Sequence, residues 1–477
     1  MANYEVSELV EWDKRIREQA AEFGLDWFPQ EFEICDHNGM LGYMAYSGMP
    51  SHYPHWSFGK SYEKLKTLYD YGVNGLPYEM VINSNPAIAY LMRDNTLLLQ
   101  VLTIAHVYGH NDFFKNNFTF KSATRAELTI EFFKAHAMRV RRYMEDPSIG
   151  VEKVERILDA AHALSWQCRR NLAIRKLSRD EQVERAIEAA QPRSDPFQRL
   201  HGRPEFKEPE MRRIPLEPDE DVLLFIRDHN PFLAEWEKDL LTIVDEETKF
   251  FMPMMETKIM NEGWASYWHK KIVEALDLEQ GLRIEFIVRH NQVLRPMPGS
   301  INPYHVGFKI WEDIYRRHTE PTPDEIKKYG APGKNGKDKL FEAREVERDT
   351  SFLRRYLTEE LMRDMDMFQF EPRGDELVID KVSDEEGWKQ IKETLIKNVG
   401  TGSIPVIKVE DSDFGHNRTL YLKHYHDGRD LLLEYAEKSL AFAYRLWGRE
   451  CVLETSLQGK RSLLCYNERG FSMRALK

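Results

Sequence analysis

The 477-residue sequence has little cysteine, no surplus of positive charge and no long apolar run. Its four cysteines (Cys35, Cys168, Cys451, Cys465) lie far apart and without CxxC spacing, which points to free thiols in a reducing compartment. A formal net charge of −12 argues against a general nucleic-acid binder and against attraction to an acidic membrane. No stretch reaches the length of a spanning helix, so no membrane span is expected. The opening residues, MANYEVSELVEWDKRIREQA, pattern as a charged amphipathic helix and have the form of neither a signal nor a transit peptide. A cytoplasmic protein follows, with two domains or three.

What the chain does have is one wholly apolar helix carrying two histidines. Thr96–Asn117, TLLLQVLTIAHVYGHNDFFKNN, begins after Asn95, a plausible N-cap, and leaves no wet face over its first three turns. His106 and His110 stand one turn apart on the same face of it. Two imidazoles at i and i+4 on a buried helix can close on one metal ion. The spacing alone is weak, because 16 histidines in 477 residues make about half an HxxxH pair by chance. The burial carries the weight, since buried polar side chains need partners. Core histidines bonded to carbonyls, or to Asn111 and Asp112, are the alternative.

Around that helix, helices are expected at 4–24, 61–72, 86–93, 123–145 and 151–169, and strands at 27–34 and 78–84. The stretch 40–60, rich in Gly, Pro, Tyr and His, reads as ordered loop, with His52, His55 and Trp56 either lining a site or, the favoured reading, packed beneath it. Residues 178–218 are charged and Pro-rich and read as an insertion. Residues 221–229 suit a strand or short helix. Further helices are expected at 235–248, 250–277, 304–317 and 345–366, with a surface loop at 319–341. From 371 the texture changes to strands (376–382, 404–412, 419–426, 451–456, 461–466) with helices at 384–396 and 427–447; His416, His424 and His426 read as surface residues.

Three further clusters bear chemistry. Glu155, Asp159 and His162 share one face of the 151–169 helix, an arrangement that suits a metal or a solvated surface. Glu262, Ser266 and His269 share a face within MNEGWASYWHKK, where a Glu beside Trp264, Tyr267 and Trp268 needs a cation. Tyr304 and His305 in INPYHVGF could donate to an oxyanion, or merely cap and pack.

AHVYGHNDFFKNN, PHWSFGK, YEMVINSNP, NEGWASYWHKK and INPYHVGF together, in this order, resemble the SpoVR family (stage V sporulation protein R) along roughly 20–470. The resemblance implies a bacterial cytoplasmic protein tied to spore cortex formation or to stress physiology. It also implies an AAA+ serine protein kinase and a von Willebrand-type protein as partners. A more distant resemblance links EGWASY (262–267) to zincin-type metallopeptidases, whose third ligand comes from an EGWAxY helix. It implies a triad of His106, His110 and Glu262, with 78–84 as the edge strand. The HExxH glutamate is Val107 here, which cannot take a proton, so three outcomes stay open: a metal site without peptidase activity, another carboxylate (Glu155, Asp159 or Asp112) as the base, or no metal at all.

The expected architecture is therefore α+β and mainly helical: a zincin-like helical core over 1–370 and a small α+β domain over 371–477. The expected centre is a divalent metal, zinc before iron or manganese, held by His106, His110 and Glu262, with His269 and His162 as extra ligands. Glu155, Tyr304 and His305 are the expected catalytic groups for hydrolysis of an amide in a peptide or a peptidoglycan-related molecule. Two rivals remain open: an iron site adding Glu155, Asp159 and His162 to the histidine pair, and a scaffold without catalysis.

Overall fold

The computed structural model describes residues 4–72, 77–190, 213–297, 300–367, 369–373, 376–381 and 385–476. The chain forms two compact units, each built from two separate stretches: 1–141 with 250–403, and 142–249 with 404–477. The expected boundary near 370 is thus replaced by crossings at 141, 249 and 403.

The first unit begins with α1 (Val6–Glu22), β1 (Gln30–Cys35), α2 (His37–Ala45), α3 (Trp56–Asp70), β2 (Glu79–Ile82) and β3 (Ala87–Met92). These strands make a three-stranded sheet in the order β1-β3-β2, with β1 parallel and β2 antiparallel to β3. Residues 86–93 are therefore a central strand and not a helix. AIAYLM is a six-residue apolar run without periodicity, and a strand buried on both faces has that pattern. The 40–60 stretch is also more regular than expected, since α2 and α3 enter it from either side. His55 caps α3 by accepting from the Ser57 N–H, and His52 packs among Tyr53, Phe58 and Phe133.

Next come α4 (Leu97–Asn116), α5 (Phe118–Ala123) and α6 (Thr129–Glu145), which runs on into the second unit. Thr96, not Asn95, caps α4, accepting from the Leu99 N–H at 3.3 Å. Asn95 instead donates to the Tyr78 carbonyl and to Gln100. Every residue from Leu98 to Phe114 is buried, as the absence of a wet face predicts.

The second unit adds α7 (Val151–Leu164), α8 (Arg179–Ala190), α9 (Val222–His229) and most of α10 (Glu235–Glu256). Residues 191–212 of the expected insertion lie outside the described residues; 179–190 are helical.

On return to the first unit, the helix expected over 250–277 is broken at Thr257 into the end of α10 and α11 (Lys258–Ala275). There follow α12 (Gln280–Val293), α13 (Pro303–Thr319), α14 (Pro323–Tyr329), α15 (Gly336–Val346), α16 (Asp349–Tyr356) and α17 (Glu359–Asp364). The 319–341 segment is thus partly helical, and 345–366 is divided. The hairpin of β4 (Gln369–Arg373) and β5 (Glu376–Lys381) and α18 (Glu385–Asn398) also belong to this unit. Its core joins α4, α11 and α13 through Tyr108, Phe113, Trp264, Trp268 and Trp311.

The chain ends in the second unit with β6 (Ile407–Phe414), β7 (Thr419–His424), α19 (Leu433–Trp447), β8 (Cys451–Leu457), β9 (Lys460–Asn467) and β10 (Gly470–Ala475). They form a five-stranded sheet, order β10-β9-β8-β7-β6, in which α19 crosses between the parallel pair β7 and β8. The α+β, mainly helical architecture with a small strand-rich C-terminal part is the one expected. His416 and His426 reach solvent, but His424 is buried and bonded to Thr455 at 2.9 Å. All four cysteines are buried and unpaired. Among the described residues no helix is long and apolar enough to cross a membrane.

Candidate metal centre

Three helices and one edge strand of the first unit meet at the histidine pair. α4 presents His106 and His110, whose rings lie edge-on with centroids 4.5 Å apart. α11 crosses α4 closely because Gly109 faces Ala265, so a β-carbon at 109 would stand 2.6 Å from the Ala265 Cα. α13 crosses α11 through Gly263 and Gly307, where a β-carbon on either would strike the other helix's backbone. These approaches bring Glu262 to the histidines. Its Oε2 lies 3.4 Å from His110 Nε2 and 3.8 Å from His106 Nε2.

The fourth group is Glu79 on β2, with its carboxylate 3.9 Å from His106 Nε2. Ligand atoms of Glu79, His106 and His110 all lie within 4.8 Å of one another, a spacing that suits one cation. Both histidines turn Nε2 toward this point because their Nδ1 atoms are engaged elsewhere. His110 Nδ1 donates to Asn261 Oδ1 at 2.9 Å, and His106 Nδ1 pairs with His269 Nδ1 at 2.9 Å. His106 Nε2 and Glu262 Oε2 are buried without a hydrogen-bond partner. Polar atoms left this way cost about 1–3 kcal/mol each, and a divalent cation between them would satisfy both.

Electrostatics divides the two carboxylates. Burial alone would raise the Glu262 carboxyl, but the imidazoles of His106 and His110 close beside it overcome that and hold it well below the usual range. Glu79 is pushed up to about 7 by burial and by the Glu262 charge, with His110 opposing. Burial and the neighbouring His110 lower His106 to about 4, so its ring is neutral, the form a metal requires. Tyr304, at the start of α13, is held protonated chiefly by the charge of Glu262.

His269 is within the cluster but behind it: Nδ1 faces His106 and Nε2 meets His290 Nδ1 at 2.7 Å. It orients a ligand and leaves no nitrogen toward the centre. His305 does not line the cavity; it is half-buried beside the Leu294 backbone. Glu155, Asp159 and His162 lie on α7 in the second unit and are not in the cluster. Their shared face is partly exposed, as a solvated helix surface would be. Asp112, the other replacement considered for the missing acid, is bound instead to Arg344 and Trp264. The centre opens onto a cavity of about 1100 Å³ walled by apolar side chains including Val81, Leu102, Phe114 and Met254.

The class defined by this architecture is a helix-rich α+β protein with a two-histidine, two-carboxylate centre between its crossing helices. The SpoVR like protein family matches residues 3–404 and the SpoVR-like C-terminal domain residues 405–458. The uncharacterized protein YcgB of Escherichia coli (strain K12) is 34% identical over 463 residues, covering 91% of this chain and 88% of that protein. The chain belongs to the SpoVR family. No solved structure matches it, so the zincin likeness rests on the EGWASY motif alone.

Proposed function

We propose that this SpoVR-family chain is a metal-dependent hydrolase acting on an amide of a peptide-class substrate. The observation that carries the reading is the pair of buried, unpartnered atoms, His106 Nε2 and Glu262 Oε2, facing each other across the Glu79–His106–His110 cluster. His106, His110 and Glu262 would hold the cation. Two imidazoles and a carboxylate suit zinc; with Glu79 added, the donor set also suits iron or manganese. A divalent cation there supplies the charge that polarises a carbonyl and acidifies water.

The remaining chemistry falls to side chains. Val107 offers no proton acceptor, and Glu79 is the carboxylate beside Glu262 that reaches the same space. Glu79 therefore takes the role of the absent acid, receiving a proton and returning it to the leaving amine. Tyr304, held as a neutral phenol by the charge of Glu262, lines the same cavity as a hydrogen-bond donor.

The test is elemental analysis of the full chain. Wild type should carry one equivalent of metal, His106→Ala and Glu262→Ala should lose it, and Glu79→Gln should keep it. Wild type that stays metal-free after reconstitution with zinc, iron and manganese would overturn the reading in favour of a non-catalytic scaffold.

A further inference from the structure

A second cavity, of about 400 Å³, adjoins the metal cavity, and Phe114 lines both. The Phe114 ring stacks on His110 with centroids 6.0 Å apart, so the same side chain that backs a ligand forms the partition. Phe114 lies one helical turn past His110, about 6 Å along α4. The two cavities can therefore take neighbouring groups of one molecule.

The charges in the second cavity do not balance. Lys115, Lys121 and Arg125 line it, opposed by Glu127. Lys115 is committed to Asp26 and the Trp27 carbonyl. Neither Lys121 nor Arg125 has a carboxylate partner among the described residues, although acidic residues outnumber basic ones by 79 to 67 in this chain. What is left is two cations against one anion, a surplus that fits a monoanion better than a phosphate dianion. A guanidinium fork matches a carboxylate in geometry. Asn83, buried in the wall, donates Nδ2 to Thr124 Oγ1 at 2.9 Å, and its Oδ1 has no partner.

We infer that the cavity beyond Phe114 is a carboxylate subsite, and that the substrate is a short peptide or acylated amino acid whose free carboxylate lies one group from the bond at the metal centre. The inference rests on the hydrolase reading above. Lys121 and Arg125 are exposed, so the recognition is salt-sensitive and is best read at low ionic strength.

The test uses a hydroxamate-headed leucyl-alanine, prepared as the free acid and as the C-terminal amide, titrated calorimetrically into the zinc-loaded full chain. The acid should bind about tenfold more tightly than the amide, a difference of about 1.4 kcal/mol. In the Lys121→Ala/Arg125→Ala double variant the preference should fall below about twofold at unchanged zinc content. Equal affinity for the two forms in wild type would overturn the subsite and leave the metal reading intact. So would an acid preference that survives the double variant, which would assign the anion to Lys258 in the metal cavity. Failure to take up zinc, iron or manganese, read beforehand by elemental analysis, would overturn the hydrolase reading and the subsite with it.

Discussion

Gly109 on α4 lies directly against Ala265 on α11, in the turn that separates His106 from His110 and one turn past Glu262. A β-carbon at 109 would stand 2.6 Å from the Ala265 Cα and 3.2 Å from its Cβ. The missing side chain therefore sets the distance between the histidine helix and the carboxylate helix. Gly109→Ala should force the helices apart and cost about 2–3 kcal/mol in urea denaturation, despite the better helix propensity of alanine. It should also weaken metal binding. Gly59 on α3, whose added β-carbon meets nothing within 4 Å, is the control. There alanine should gain about 0.5–1 kcal/mol.

A buried ion pair ties the histidine helix α4 to α15, and its carboxylate also holds α11 through Trp264. Asp112 Oδ1 accepts from Arg344 Nη1 at 2.6 Å and from the Asp26 N–H at 2.8 Å, while Oδ2 accepts from Trp264 Nε1 at 2.8 Å. Both ends of the pair are out of water, with side-chain exposures of 0% for Asp112 and 5% for Arg344. Arg344→Met strands the carboxylate and should cost about 3–5 kcal/mol. Asp112→Asn in the same background removes the stranded charge and should recover part of that loss. A double variant no more stable than Arg344→Met alone would show that packing, and not charge, dominates the site.

The site was legible in the sequence to the extent that it sits on long helices. His106, His110 and Glu262 follow from an apolar helix with paired histidines and from EGWASY, and the structure gathers all three. Glu79 was missed because one glutamate in a four-residue strand has no periodic signal; only the pairing of β2 with β3 brings it to the histidines. Glu155 and His162 show the opposite error, since helical spacing places residues on one face without saying what that face meets. The reading of 86–93 as a helix failed for a related reason. A short apolar run fits either state, and the partner strand β1, more than fifty residues earlier, decides.

Asp349 gives a pH dependence away from the centre. Its carboxylate accepts from the Ile259 and Met260 N–H groups at 2.9 Å each, at the start of α11. Burial nevertheless pushes it up to about 7, against a value of 3.8 when unburied. Between those limits the folded state binds more protons than the unfolded chain, so this group's contribution to stability falls as pH rises from 4 to 7 and is level above. Asp349→Asn removes that slope. The destabilisation caused by the substitution should be larger at pH 5 than at pH 8, by about 2–3 kcal/mol from a slope of about 1.4 kcal/mol per pH unit. Urea midpoints at the two pH values measure it, and a loss that grows toward pH 8 would contradict the assignment.

His106, His269 and His290 form a chain of buried imidazoles in which one choice fixes the rest. All three are held neutral by burial, His106 and His290 at about 4 and His269 well below its ordinary value. Each ring therefore carries one N–H. If His106 Nε2 is the ligand atom, its proton sits on Nδ1 and donates to His269 Nδ1. The His269 proton is then on Nε2, donating to His290 Nδ1, and the His290 proton is on Nε2. Long-range proton–nitrogen NMR of the zinc-loaded chain should show the Nε2–H tautomer for both His269 and His290. His269→Phe leaves the His106 N–H unpaired and should lower zinc affinity by about 10–100-fold with the fold intact. His290→Phe breaks the farther link and should lower it less. An Nδ1–H tautomer at His269 would make His106 Nδ1 the acceptor, put its proton on Nε2, and remove His106 from the ligand set.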